Sequence, residues 1–121
     1  MLDAKTQLEK MGHTVLMPIQ VDGVDYWSEN NVTRVEAKKK FELISEHMDK
    51  IERSDAILVV NITKGDVTHY VGANTFLEIG FAHYRDKKIY LLNGIPDQKY
   101  IEDEMLTVSP IVLNGDLTKI V

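Results

Sequence analysis

The sequence predicts an α/β sandwich on a mostly parallel sheet, and three observations carry that expectation. Ala37, Phe41, Ile44, Met48 and Ile51 recur at alternating spacings of four and three, the signature of one apolar helical face. Ala56-Ile57-Leu58-Val59-Val60-Asn61-Ile62 is apolar and β-branched without alternation, as a strand buried on both faces of a parallel sheet requires. Helix-like and strand-like segments then alternate to the end of the chain, the pattern of βα units joined by right-handed crossovers. The 121 residues suffice for a single domain, residues 1–121, around one core, and 44% apolar with 27% charged residues is the balance of an ordinary folded protein.

The elements follow in order. Asp3 to Met11 places Leu8 and Met11 on one helical face and ends at Gly12, suited to the left-handed position that closes a helix. His13-Thr14-Val15-Leu16-Met17-Pro18 reads as a short strand stopped by a proline that cannot donate to a ladder. Ile19 to Val32 reads as a long loop carrying Tyr26 and Trp27, and loops of such length are more often functional than idle. Thr33-x-x-Glu36 is a capping box opening the long amphipathic helix of about five turns. After the 56–62 strand and a loop from Thr63 to Ala73, a helix is expected over Thr75 to about Asp86. A strand over Lys87–Asn93, a helix from Asp97 to about Leu106 and a last strand at Ile111–Leu113 complete the series. Ligands in such sheets sit beyond the carboxyl ends of the strands, so the loops after Met17, Ile62 and Asn93 are expected to form the mouth of a site.

Composition narrows the partners. A net charge of −5 is a poor footprint for neutralising a phosphate backbone, so no nucleic acid polymer is expected. The absence of cysteine removes disulfides and thiol nucleophiles and is compatible with a reducing compartment. The longest apolar runs reach roughly half a membrane span and the first residues carry no apolar signal core, so the expectation is a cytoplasmic protein with no membrane contact. His13, His47, His69 and His83 form no i,i+4 pair and have no carboxylate at a recognised ligand spacing, which argues against a metal site. No dinucleotide, P-loop, nucleophile-elbow or zinc-protease motif is present, and no cofactor is expected.

The densest chemistry lies in Gly72-Ala73-Asn74-Thr75-Phe76-Leu77-Glu78-Ile79-Gly80-Phe81-Ala82. Thr75 and Glu78 stand at capping-box spacing, and in that reading the glutamate serves only the backbone. In the other it is a carboxylate offered to a site in the first turn of a helix. Gly80 favours the second, because glycine inside a helix costs about 1 kcal/mol against alanine and usually marks a close approach to sheet or ligand. Asn61, Asn74 and Asn93 sit at strand ends or the helix start, where amides hold sugar hydroxyls or a base edge, or simply end strands and cap helices.

Asp55 to Asn61, then Gly72-x-Asn74-Thr75-x-x-Glu78-Ile79-Gly80-x-Ala82 and Lys87-Lys88-Ile89-Tyr90-Leu91-Leu92-Asn93, together resemble the nucleoside 2-deoxyribosyltransferase superfamily, which includes deoxynucleoside 5′-monophosphate N-glycosidases. The resemblance spans essentially the whole chain, and its specific part is the Gly-x-Asn-Thr-x-x-Glu-x-Gly-x-Ala block. It implies a flavodoxin-like three-layer sandwich of about four strands and a carboxylate, matched by Glu78, that attacks or stabilises the anomeric carbon of a 2-deoxyribose. Breaking an N-glycosidic bond builds positive charge on the sugar, which is why a carboxylate belongs there.

Two departures from the family pattern stand out. The family's active enzymes carry an aspartate eight residues before the position of Asp55, and here that position is His47. His47 lies at the rim of the apolar stripe, where it packs on the sheet or, as an imidazole able to carry a proton, protonates a leaving base. Family members also begin with a strand and a glycine- and serine-containing loop that helps bind substrate, whereas this chain begins at the following helix. The resemblance therefore implies a first strand missing between the 14–18 and 56–62 strands, with truncation, a partner chain or a rearranged sheet left open.

The leading expectation is thus an enzyme that hydrolyses or transfers the N-glycosidic bond of a (deoxy)nucleoside or nucleotide. Glu78 and His47 are its catalytic candidates, and Asn61, Gly72, Asn74, Thr75, Asn93, Tyr26 and Trp27 its substrate-binding candidates. The alternatives are a non-catalytic nucleotide-binding module and a pseudo-enzyme devoted to assembly. A homo-oligomer is expected, because an incomplete sheet leaves an edge that invites pairing.

Overall fold

The computed structural model describes residues 2–16 and 34–120, and the side chains of 4–16 and 42–120. Among them the order is α1 (Leu2–Lys10), α2 (Arg34–Glu52), β1 (Ala56–Val59), α3 (Ala73–Tyr84), β2 (Lys88–Leu91), α4 (Glu102–Thr107) and β3 (Ile111–Val112), with 3₁₀ turns at Lys99–Ile101 and Leu117–Lys119. The protein is α/β, with a three-stranded parallel sheet ordered β1-β2-β3 among the described residues. Ala56 pairs with Lys88 and Val59 with Leu91; Tyr90 pairs with Ile111 and Leu91 with Val112.

Alternation along the strands divides the apolar side chains between two faces. Ile57, Val59, Ile89 and Leu91 face Ile51 of α2, Ile79 and Ala82 of α3, and Met105 of α4. Ala56, Leu58 and Tyr90 face Leu8 of α1 together with Leu113 and Leu117. α3 and α4 share a face because β1→β2 and β2→β3 step in the same direction, and right-handed crossovers in one direction place their helices on one side.

Several boundaries differ from expectation for physical reasons. Gly12 adopts φ +93 and closes α1, as its position suggested. His13–Leu16 join no ladder among the described residues, and Met17–Pro18 lie outside them, so a fourth strand is not part of the described sheet. The loop carrying Tyr26 and Trp27, and Thr33 of the expected capping box, also lie outside the described residues. The expected 56–62 strand stops at Val59, and Asn61 turns its side chain into the protein instead. The fourth helix is shorter than the expected 97–106 span: Gln98 is extended and buried, and only a 3₁₀ turn separates it from α4.

α3 carries two corrections. It begins at Ala73, two residues earlier than expected, with Gly72 as an N-cap in extended conformation and no side-chain capping bond. Thr75 and Glu78 therefore form no capping box, and Glu78 stands in the second turn rather than the first. Gly80 is exposed, and a Cβ built on it meets nothing within 4 Å, so it marks no close approach among the described residues.

Candidate functional site

α2 and α3 lie side by side over the sheet and bring together the two residues singled out as catalytic candidates. His47 sits three residues after Ile44 and four before Ile51, at the margin of the stripe that α2 lays on the core. Glu78 precedes Ile79, which is wholly buried, and so projects sideways toward α2 rather than into the core. The outcome is a His47 Nε2 to Glu78 Oε2 distance of 3.3 Å, with the side chains 17% and 26% exposed. His47 Nδ1 is buried and has no hydrogen-bond partner among the described residues. One carboxylate oxygen thus faces the imidazole, with both side chains largely shielded from water.

α3 rises 1.5 Å per residue from its start beyond the carboxyl end of β1, so the Glu78 backbone lies about 7–8 Å along the helix from Ala73. Gly72 caps the helix and Asn74 and Thr75 occupy its first turn, all half-buried, at the rim expected for a ligand mouth. Tyr70 closes over that start: its ring lies 3.6 Å from where a Gly72 side chain would begin, and Lys64 Nζ stands 5.1 Å from the ring centroid.

The asparagines at the strand ends serve the frame. Asn61, 1% exposed, donates from Nδ2 to the Gly94 carbonyl at 2.7 Å and accepts the Asn93 backbone N–H on Oδ1 at 2.9 Å. Asn93 returns the favour through Nδ2 to the Asn61 carbonyl at 2.9 Å. Their amides thus close the ladder between β1 and β2 just past its last regular pair, each satisfying backbone groups that strand ends leave open.

Gln98 was not apparent from the sequence. It is 4% exposed, accepts the Val71 N–H at 2.7 Å and donates to the Val71 carbonyl at 3.1 Å, so a side-chain amide imitates a strand neighbour. Its Nε2 also lies 2.7 Å from the Tyr100 hydroxyl. With the Asp97 N–H donating to the Thr68 carbonyl at 3.0 Å, these bonds tie the loop before α3 to the loop after β2. A buried glutamine is itself an uncommon signal, but its partner 27 residues away is invisible in a linear reading.

Comparison with protein-family models, with curated proteins and with solved structures finds no match to this chain. No helix among the described residues is long and apolar enough to cross a membrane.

Proposed function

We propose that the chain is a nucleoside 2-deoxyribosyltransferase-like protein of flavodoxin-like fold that cleaves the N-glycosidic bond of a (deoxy)nucleoside or nucleotide by hydrolysis or transfer. The observation that carries this reading is the 3.3 Å approach of His47 Nε2 to Glu78 Oε2, a partly buried contact between two helices. Bond cleavage leaves the sugar with oxocarbenium character, and a carboxylate fixed beside it captures or stabilises that cation. His47 holds one Glu78 oxygen and orients the other toward the anomeric carbon. The first turn of α3, with Asn74 and Thr75, meets the sugar, and Tyr26 and Trp27 are the stacking candidates for the base. Asn61 and Asn93 are assigned to the frame, because their amides are engaged by the backbone.

The test is release of free base from a panel of 2′-deoxynucleosides and their 5′-monophosphates, followed by chromatography. Wild-type protein is expected to release base, and Glu78→Gln to lower the rate by roughly 10³-fold or more, the scale on which removal of an attacking group acts. A folded wild-type sample inert across the panel overturns the reading. The same pair also suits a non-catalytic nucleotide-binding module, since a His–Glu contact joining α2 to α3 stabilises a cleft without chemistry. Calorimetry showing nucleotide binding without turnover selects that alternative.

A further inference from the structure

We propose that His69 is the residue that contacts the nucleobase and protonates it as it leaves. The reaction in this proposal rests on the N-glycosidic reading above; the contact rests on separate observations. His69 lies in the loop between β1 and α3, beyond the carboxyl end of the sheet, and adopts φ +55, a left-handed conformation uncommon for a residue with a side chain. Its backbone N–H donates to Thr63 Oγ1 at 3.2 Å, and the carbonyl of the preceding Thr68 accepts the Asp97 N–H at 3.0 Å. Its ring rests where the side chain of residue 94 would be: a Cβ on Gly94 would stand 3.2 Å from Nδ1 and 3.3 Å from Cε1. Gly94 is itself held by Asn61 through its carbonyl. Backbone, ring position and the floor beneath the ring are therefore all specified by other parts of the chain, yet no described residue hydrogen-bonds either ring nitrogen. A half-buried imidazole placed this closely, with neither ring nitrogen bonded by a described residue, is open to a ligand.

The partner the proposed chemistry requires is a departing base. His47 directs Nε2 at Glu78, so the proposed reaction needs a second donor for the leaving group. In the step proposed, a Glu78 oxygen forms a bond to C1′ while the C1′–N bond breaks and its electron pair goes to the base. The His69 imidazolium gives its proton to a ring nitrogen of that base. Water then displaces Glu78 from C1′ and its released proton returns to the imidazole, so the sum is nucleoside plus water giving 2-deoxyribose plus free base.

The test compares leaving groups. His69→Asn keeps a residue type that tolerates the left-handed backbone, so the loop is preserved. It is assayed on the panel of 2′-deoxynucleosides and on a 2-deoxyribosyl 4-nitrophenolate, whose leaving group departs without a proton. The expected result is a roughly 10²- to 10⁴-fold loss of kcat on nucleosides with near wild-type cleavage of the nitrophenolate. Equal loss on both, or no loss on either, overturns the proposal. Gly94→Ala gives a second route: its methyl displaces the ring and is expected to produce the same selective loss in weaker form. If the wild type cleaves neither substrate class, the N-glycosidic reading fails and the protonation step with it. The contact is then judged by NMR, where the His69 Cε1–H resonance, assigned with His69→Asn, is expected to move on adding 2′-deoxynucleosides; an unmoved resonance overturns it.

Discussion

Asn61, Asn93 and Gln98 on one side, and His47, Glu78 and His69 on the other, are two sets of polar side chains in one small fold that spend their hydrogen bonds differently. The amides bond to backbone groups of Gly94, Asn93, Asn61 and Val71, and do for loops what a ladder does for strands. Among the described residues the ionisable set is left with capacity in hand: Nδ1 of His47 is buried with no partner there, and the His69 ring bonds none of them. A polar residue at the mouth of a parallel sheet is thus not evidence of ligand contact by its type or place. What separates frame from site is whether the chain itself uses up the side chain's donors and acceptors.

That contrast predicts opposite mutational signatures. Glu78→Gln is expected to abolish base release with little change in melting temperature, because the replacement keeps shape and one acceptor. Asn61→Ala is expected to do the reverse to the frame. It strands the Gly94 carbonyl and the Asn93 N–H, at about 1–3 kcal/mol for each unsatisfied group, and urea denaturation measures the loss. Gln98→Leu preserves volume but orphans both backbone groups of Val71, and a destabilisation of about 2 kcal/mol is expected by the same method. Should Asn61→Ala unfold at wild-type denaturant concentration, the division between the two sets fails.

Smaller effects sharpen the same contrast on the surface. Gly80→Ala is expected to raise stability by about 0.5–1 kcal/mol, since the position is exposed, helical and open to a methyl group. A destabilised Gly80→Ala would instead point to a close approach from outside the described residues. The smallest effect concerns Glu52, whose carboxyl is held below its ordinary value chiefly by the hydrogen bond from Arg85. A carboxylate with a lowered folded-state pKa stabilises the fold above the ordinary glutamate range and loses that contribution as pH falls through the lowered value. Arg85→Gln is therefore expected to lower the melting temperature slightly at neutral pH and to leave it unchanged below the lowered pKa, which flattens the acid limb of the profile, the effect being small because the pair is largely open to solvent.

What was legible in the sequence is what local pattern encodes. The α2 helix, the start of the β1 run, the Gly12 terminus and the alternation of helix with strand from α2 onward are periodicities or single-residue signals, and each is found among the described residues. The start of α3 was misplaced because Gly72 caps it with bare backbone, leaving Thr75 as the conspicuous but wrong signal. Strand lengths were overestimated because Asn61 and Asn93 leave the ladder to bond each other, an arrangement set by pairing 32 residues apart. His47 and Glu78 were each noticed, but only the packing of α2 on α3 makes them a pair. In the sequence His69 is only one of four histidines without ligand spacing, since its significance lies in a backbone angle and in a glycine from another strand's end.

The sheet order β1-β2-β3 follows the chain order, and each strand is joined to its neighbour by a single helical crossover. Every strand pairing can therefore form with modest loop closure, one unit adding to the last, whereas α1 meets Leu113 and Leu117 only from the far end of the sequence. The β1–β3 region is accordingly the part expected to assemble first and exchange its amides slowest. α1 should dock late and open first, so this domain would lose one of its two apolar clusters before the sheet itself comes apart.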